Sequence, residues 1–260
     1  MVLMKPGDNV TQLAQDAIAA GAMLLIAGGG DGTISAVAGA VADSPAILGV
    51  LPLGTLNHFA RDLKIPATLE GAIEVIRQGY TRQVDAAELN GRIFINNSSL
   101  GLYPHLVRRR ERQQRLGWRK WTAFAWAAVA VFRRFPFVTV KVGTSDGTQM
   151  VRRTPLAFVG NNVYSMSGSD LGCRARLDEG TLSLFIARRR GRFGLLWMAC
   201  SALLGRLERD RSLECRRVEE IVIETHGKTA LVACDGETAR LPTPLRYRIL
   251  PGALTVLVPN

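Results

Sequence analysis

The stretch MLLIAGGGDGTISAVAGAV, residues 23–41, decides how the first part of this chain folds. A short, continuously apolar run at 23–27 ends in three glycines, and a run of small residues that can form a helix follows. An unbroken apolar run of this length is typical of a strand buried on both faces of a parallel sheet. The stretch therefore predicts a strand, a tight glycine loop and a helix, in that order.

Similar signals continue toward residue 80. Strand and helix signals alternate there, with a second strand at 46–51 and helices at 11–20, 33–41, 55–63 and 68–78. Strands that alternate with helices over so few residues indicate a right-handed parallel unit. We therefore predict a parallel α/β three-layer domain over residues 1–84.

The pattern changes after residue 81, where apolar and β-branched runs replace the helix signals. The pair Asn90-Gly91 between two such runs is a strong sign of a two-residue hairpin. The strand candidates are 82–89, 92–97, 135–143, 151–162, 180–188, 218–225, 229–234, 245–250 and 253–259. They predict a mostly antiparallel β-sandwich domain over 85–253 with two helical insertions, and they leave 254–260 free to return to the first domain.

The basic charge of the chain is concentrated in two places. The formal net charge is +11, and the stretches 101–125 and 186–217 each carry +6, so the rest of the chain is close to neutral. Local basicity indicates contact with an anionic surface, either membrane headgroups or nucleic acid. The longest apolar runs have 12 residues, whereas a bilayer span needs about 20. The four cysteines form no C-x-x-C pair, so reduced thiols are expected.

Two glycine loops follow the two predicted parallel strands: GGGDGT at 28–33 and PLGTLNHFA at 52–60. Loops after the carboxyl ends of neighbouring parallel strands line one crevice, where glycines let backbone amides approach a phosphate. The first loop is not a P-loop, because G-K-[ST] is missing, and G-x-G-x-x-G fails at Thr33. On spacing alone, a phosphate site and a tight turn with Asp31 or Thr33 capping the helix stay equally open.

Five segments together resemble the diacylglycerol kinase catalytic family, which includes soluble bacterial lipid kinases and the sphingosine and ceramide kinases. The segments are GGGDGTISAVAGA, LPLGTLNHFARDL, ARLDEGTLSLFIARR, ACDGE and PGALTVLVP, and they run in the family order over nearly the whole chain. The resemblance implies a first domain like that of NAD kinases and phosphofructokinases. It also implies ATP and Mg²⁺ as cofactors, and phosphoryl transfer to a lipid hydroxyl.

The same resemblance assigns site residues. The implied nucleotide-binding residues are Gly29, Gly30, Asp31, Gly32, Thr33, Gly54, Thr55 and Asn57. Because the phosphates of ATP arrive with magnesium, the Asp31 carboxylate can interact with the cation and orient the loop. Glu237 is implied as the acceptor of the hydroxyl proton, with Asp235 orienting the turn or joining a water–metal network. Read alone, Asp235-Gly236 is more often a solvated hairpin turn.

The resemblance further implies a structural magnesium ion bound by the Glu179 side chain and by the backbone carbonyls of Arg176 and Thr181. The family has aspartate where this chain has Glu179, and Mg²⁺ tolerates altered geometry badly. Asp178 could compensate. His58 also replaces a family aspartate, and the chain enters the family pattern at its second strand, which implies a missing first strand and helix.

The two basic stretches coincide with apolar helical patterns at 108–134 and 188–211. Their apolar faces either pack on the β domain or dock at a membrane, with arginines on anionic headgroups. We expect a cytoplasmic, peripherally membrane-associated protein that meets a lipid substrate at the membrane surface. No nucleic-acid partner is expected, because no aromatic stacking platform is evident. A homodimer is left open.

Three functions are compatible with these features. The leading hypothesis is an ATP-dependent lipid kinase that phosphorylates diacylglycerol or a related sphingoid or ceramide-like lipid. An NAD kinase-like enzyme shares GGDGT but leaves the segments PLGTLNHFA and CDGE and the basic helices unexplained. A catalytically decayed, membrane-associated nucleotide-binding module is favoured by His58, by Glu179 and by the late start.

Overall fold

The computed structural model describes residues 2–3, 7–42, 44–101, 104, 137–145, 147–165, 172–187 and 213–260. The two predicted basic helices, at 108–134 and 188–211, lie outside the described residues.

The described residues form four α-helices and 14 strands. The helices are α1 Val10–Ala19, α2 Asp31–Val41, α3 His58–Asp62 and α4 Leu69–Gln78. The strands are β1 Leu24–Gly29, β2 Ile47–Pro52, β3 Thr81–Leu89, β4 Arg92–Phe94, β5 Asn97–Gly101, β6 Val138–Thr144, β7 Gln149–Thr154, β8 Leu156–Asn161, β9 Leu182–Ala187, β10 Leu213–Val218, β11 Glu220–Thr225, β12 Thr229–Cys234, β13 Glu237–Pro242 and β14 Leu245–Leu257.

Strands from both ends of the chain build the first sheet. β1 pairs in parallel with β2, and β2 pairs in parallel with the last part of β14. From β14 the sheet continues through antiparallel β11, β6 and β7, while β3 also pairs with β14 and β4 pairs with β3. The predicted parallel α/β part is therefore confirmed, and it shares a continuous sheet with antiparallel strands. The proposed domain boundary at residue 84 stays a prediction.

The second sheet is antiparallel throughout, in the order β10-β9-β8-β5-β12-β13. It stacks against β6, β11 and β14 of the first sheet, and a core that includes Leu184, Ile221 and Tyr247 fills the space between them. This is the predicted β-sandwich. A separate core, which includes Ile34, Leu48 and Phe59, lies between the helices and the parallel strands.

Local signals define the helix ends. Asn9 caps α1 through its side chain, which accepts a hydrogen bond from Gln12 N at 3.2 Å. Thr68 caps α4, and Gly79 ends this helix in the left-handed conformation with φ 72°. Such a terminus favours glycine because glycine has no Cβ to clash there. The cap of α2 is Gly30 and uses no side chain, so the alternative in which Asp31 or Thr33 caps that helix is not observed.

The predicted strand limits were wrong at three places. The run 92–97 is split into β4 of the first sheet and β5 of the second, and the run 151–162 is split at Pro155 into β7 and β8. Conversely, 245–250 and 253–259 form the single strand β14, whose register with β3 shifts between Leu250 and Leu254. Periodicity detects an extended chain, but it shows neither where that chain passes from one sheet to the other nor where a strand continues through a shift of register.

Candidate active site

The loops after β1 and β2 lie against each other. Leu53 N donates a hydrogen bond to Gly29 O at 3.0 Å. A Cβ placed on Gly54 would lie only 2.5 Å from Gly30 Cα. The two backbones are therefore too close for a side chain at Gly54. The two glycine loops thus form one continuous rim at the carboxyl edge of the parallel strands, as the sequence predicts.

Asn57 shapes the second loop from inside. Its backbone is left-handed, with φ 48° and ψ 48°. Its amide nitrogen donates to Pro52 O at 3.1 Å and to Gly54 O at 3.0 Å, while its Oδ1 accepts from Gly54 N at 3.0 Å. The Asn57 side chain therefore holds the loop closed. Thr55, by contrast, is exposed on the same loop and open to a ligand.

Asp31 links the two loops. It is the first residue of α2, and its Oδ1 accepts a long hydrogen bond, 3.5 Å, from Phe59 N in α3. The Thr33 side chain lies beside Gly29, where a Cβ would come within 2.7 Å of Thr33 Cβ. His58, the departure from the family pattern, begins α3 and contacts Arg61 through Nδ1 at 3.1 Å.

A substitution at Gly54 tests the contact between the loops. We expect Gly54→Ala to lower the free energy of unfolding by about 1–3 kcal/mol, because the new methyl group must push the Gly30 backbone away. ATP affinity, measured by calorimetry, should fall roughly tenfold or more, since backbone amides of both loops move. Gly143→Ala is the matched control, because a Cβ on Gly143 meets nothing within 4 Å. Equal ATP affinity in both variants would contradict this prediction.

The Asp235 carboxylate is held by four donors. The backbone amides of Ile95, Asn96 and Asn97 each donate to it at 2.9 Å. The fourth donor is Ser35 Oγ from α2. Burial raises the pKa of Asp235 above its ordinary value, and the four hydrogen bonds counteract this increase. The Asp235 side chain therefore anchors the turn through these four hydrogen bonds, and its role in catalysis stays a prediction.

The three amides are available because of the split between β4 and β5. As the chain passes from the first sheet to the second at 95–97, its amides leave the ladder and need another acceptor. Asp235, in a turn with positive φ at both Asp235 (46°) and Gly236 (86°), supplies that acceptor. No local sequence signal points to this partnership, since the donors lie 138 to 140 residues away along the chain.

Glu237 faces the first glycine loop. It is exposed, it begins β13, and a Cβ placed on Gly32 would lie 3.4 Å from Glu237 Oε1. The predicted base and the predicted nucleotide loop are therefore in direct proximity, across a cleft of about 380 Å³ between α2 and the 234–237 turn. Burial raises the pKa of the neighbouring Cys234 thiol, which keeps it protonated at neutral pH.

A buried ion pair that the sequence analysis missed connects α3, which follows the second loop, to the segment that holds this turn. Arg174 Nε donates to Asp62 of α3 at 2.7 Å, and both side chains are almost fully buried, with 0% and 3% exposure. The guanidinium also donates to Ile95 O at 2.6 Å and to Asn96 Oδ1 at 2.8 Å. Arg174 thus joins the end of α3 to the segment that holds Asp235. Residues 112 positions apart carry no sequence signal of such a contact.

The predicted metal segment forms a loop held by other side chains. Asp85 accepts hydrogen bonds from Gly180 N at 2.7 Å and from Gly252 N at 2.9 Å. Asn162 Oδ1 accepts from Glu179 N, and Asn162 N donates to Thr181 O, both at 2.9 Å.

The charged side chains of this loop are exposed to solvent. Glu179 is exposed, and Arg176 pairs with Asp178 at 3.0 Å, an interaction that lowers the pKa of Asp178. Within the described ranges, no three His, Cys, Asp or Glu side chains gather as a metal site. The predicted magnesium site uses one carboxylate and two backbone carbonyls, and the absence of three clustered side chains from the described ranges does not test that ligand set. The site therefore stays a prediction.

The described helices and the predicted membrane-docking stretches bear on how the protein could meet a membrane. Of the helices that the structure describes, none combines the length and hydropathy that crossing a bilayer requires. The predicted membrane-docking helices, 108–134 and 188–211, lie outside the described residues, so their role stays a prediction.

The sequence comparisons cover both parts of the chain. A family model described as "Diacylglycerol kinase catalytic domain" matches residues 1–89, and one described as "YegS C-terminal NAD kinase beta sandwich-like domain" matches residues 105–258. A Staphylococcus epidermidis protein named diacylglycerol kinase is 48% identical over 80 residues, which are 30% of this chain and 25% of that protein. The chain thus spans a quarter of that relative's length. A Pseudomonas fluorescens protein named "Probable lipid kinase YegS-like" is 30% identical over 258 residues, covering 97% of this chain and 83% of that protein.

Solved structures share the fold. A diacylglycerol kinase from Bacillus anthracis superposes with a TM-score of 0.71 at 22% identity, covering 100% of this chain and 84% of that one. An NAD kinase from Archaeoglobus fulgidus in complex with ATP gives 0.51 at 11% identity, covering 90% and 77%. Together with the family models and the full-length relative, the arrangement of both glycine loops and the acidic turn identifies this chain as a member of the diacylglycerol kinase catalytic family, of the YegS-like lipid kinase type.

Proposed function

We propose that this protein is an ATP-dependent lipid kinase that transfers the γ-phosphoryl group to a hydroxyl of diacylglycerol or a related lipid. One observation carries the proposal: the first glycine loop and the carboxylate of Glu237 face each other across one cleft, and the second glycine loop packs against the first. Phosphoryl transfer requires a phosphate cradle and a proton acceptor in this arrangement. The resemblance to relatives named as lipid kinases supports the choice of acceptor.

The chemistry follows from the positions of the side chains. The backbone amides of the glycine loops bind the nucleotide phosphates, and the N-terminus of α2 adds a favourable dipole. The acceptor oxygen forms a bond to the γ-phosphorus, while the bond from that phosphorus to the bridging oxygen of ADP breaks. Glu237 takes the hydroxyl proton and releases it to water. Asp235 holds the turn so that the Glu237 carboxylate stays beside Gly32.

Mg²⁺ fits two places in this chain. Asp31 can hold the ion that accompanies ATP, and when bound this ion neutralises phosphate charge. For the structural ion, the exposed carboxylate of Glu179 and the carbonyls of Arg176 and Thr181 are oxygen ligands, which Mg²⁺ prefers. The Thr181 carbonyl already accepts one hydrogen bond and keeps one lone pair.

We also propose that the protein works at the cytoplasmic face of a membrane. A kinase with a lipid acceptor must reach it at the bilayer surface, and the basic apolar stretches 108–134 and 188–211 supply the charge for this. Each Lys or Arg near an anionic surface contributes about 1 kcal/mol.

The deciding experiment is phosphorylation of a lipid panel in mixed micelles with radiolabelled ATP and Mg²⁺. Diacylglycerol, sphingosine and ceramide serve as acceptors, and NAD without lipid serves as the competing substrate. We expect lipid labelling that disappears with EDTA and returns with Mg²⁺. Labelling of NAD alone would favour the NAD kinase-like alternative, while binding of anionic vesicles without any ATP binding would favour the decayed module.

A further inference from the structure

The cleft contains one cationic side chain, that of Arg92, to which the proposed phosphoryl transfer assigns no role. Its described lining comes from α1, α2, the β3–β4 hairpin and the acidic turn: Thr11, Gln15, Gly32, Ser35, Ala36, Gly39, Gly91, Arg92, Ile93, Cys234, Asp235 and Glu237. Among these residues, Arg92 is the only lysine or arginine. It is the first residue of β4, in the first sheet, and it shares the cleft lining with the acidic turn.

The hairpin turn at Asn90-Gly91 sets the position of the Arg92 backbone at the start of β4. Asn90 and Gly91 have φ values of 48° and 83°, which suit a tight two-residue turn. Asn90 Nδ2 donates to Pro242 O at 3.0 Å, and Asn90 Oδ1 accepts from Arg246 N at 2.8 Å. The turn is therefore anchored to the strands on either side of it. Its position is set by the fold rather than by Arg92 itself.

The next residue presses the strand against α2. A Cβ placed on Gly39 would lie 3.6 Å from Ile93 Cβ, so β4 lies directly beside the helix that begins at the first glycine loop. The Arg92 backbone is thus held between α2 and the acidic turn. Only the Arg92 side chain is free to adjust, and the residue is exposed to the cleft.

Among the described residues, the guanidinium of Arg92 has no hydrogen-bond or ion-pair partner, unlike those of Arg174 and Arg176. It nevertheless lies near the acidic turn, since Arg92, Cys234 and Glu237 line the same cleft. Asp235 is already satisfied by four donors. A solvent-facing arginine beside an anchored carboxylate is available for an incoming anion.

Building on the kinase activity proposed above, we propose that Arg92 binds the phosphoryl group while it passes from ATP to the acceptor hydroxyl. The planar guanidinium donates two parallel hydrogen bonds to two phosphate oxygens, a geometry that lysine does not match. The bond changes are those described above, and the proton still goes to Glu237. Arg92 adds positive charge opposite the glycine loops, where negative charge accumulates on the transferring oxygens.

Two substitutions separate charge from geometry. We expect Arg92→Gln to lower kcat for lipid phosphorylation roughly 10- to 100-fold, with the KM for ATP changed less than about threefold, because the lost hydrogen bonds are charge-assisted and form in the transition state. Arg92→Lys should restore part of the rate. Arg240→Gln, an exposed arginine of β13 that does not line the cleft, is the control and should keep the wild-type rate. A rate for Arg92→Gln within twofold of that of Arg240→Gln would overturn the proposal.

A binding measurement tests Arg92 independently of the acceptor lipid. With Mg²⁺ present, ADP plus aluminium fluoride imitates the phosphoryl group in transfer, and ADP alone lacks that group. Arg92→Gln should weaken the aluminium fluoride complex at least tenfold and leave ADP affinity unchanged.

If the wild type forms this complex but labels no lipid, the lipid kinase assignment fails while Arg92 keeps its role. Equal binding of the complex by the wild type and Arg92→Gln overturns the Arg92 proposal alone, as does a wild type that does not form the complex at all. A variant that loses inorganic phosphate binding equally with and without ADP would show a free-phosphate site and also overturn it.

Discussion

Replacing Glu237 by glutamine is expected to reduce lipid phosphorylation at least a hundredfold, which corresponds to about 2.7 kcal/mol in the activation free energy. The amide keeps the size of the side chain but cannot take the hydroxyl proton. Since Glu237 is exposed and faces Gly32 across the cleft, its substitution leaves the cores intact. The midpoint of thermal unfolding and the ATP affinity should therefore stay at their wild-type values. Initial rates with saturating ATP and diacylglycerol measure the effect.

Two companions make the Glu237 experiment decisive. Glu224→Gln removes an exposed glutamate of β11 that pairs with Lys141 at 3.6 Å, and it should keep the wild-type rate. Glu237→Asp keeps a base but withdraws it by one methylene group, so an intermediate rate is expected. If Glu237→Gln retains more than a tenth of the activity, Glu237 is not the proton acceptor.

Replacing Arg174 by methionine should have the largest effect on stability. The substitution leaves the Asp62 carboxylate buried without its partner, and breaking such a pair typically costs about 3–5 kcal/mol. The free energy of unfolding, from urea denaturation followed by circular dichroism, should fall by that amount. Activity should fall as well, because Arg174 also holds the Asn96 side chain, and the Asn96 backbone N–H donates to Asp235.

A double variant distinguishes the lost pair from lost packing. Asp62→Leu combined with Arg174→Met removes both charges, so we expect it to recover at least half of the stability lost in the single variant. Arg77→Met breaks the solvent-exposed pair with Glu74 and should leave the denaturation midpoint unchanged. An Arg174→Met protein as stable as Arg77→Met would show that the buried pair does not hold the two parts of the site together.

Much of the fold was predictable because its signals are local. The apolar runs and glycine punctuation before residue 80 correctly predicted β1, β2 and the helices beside them, and Asn90-Gly91 correctly predicted the β3–β4 hairpin. The resemblance of the glycine loops and the CDGE turn to a known family correctly indicated the family to which the chain belongs. These features depend on residues that are neighbours in the chain, so a single sequence is sufficient to detect them.

What only the tertiary structure decided is how distant residues satisfy one another. Asp235 needs the amides of 95–97, which are available only because the chain changes sheets there, and Asp62 needs Arg174 from 112 residues away. Arg92 enters the cleft only because β4 packs on α2. Buried charges and unpaired amides must find partners wherever the fold brings them. The sequence by itself determined the local elements and the chemistry they carry, while the packing of the two sheets and α2 determined which of these groups meet.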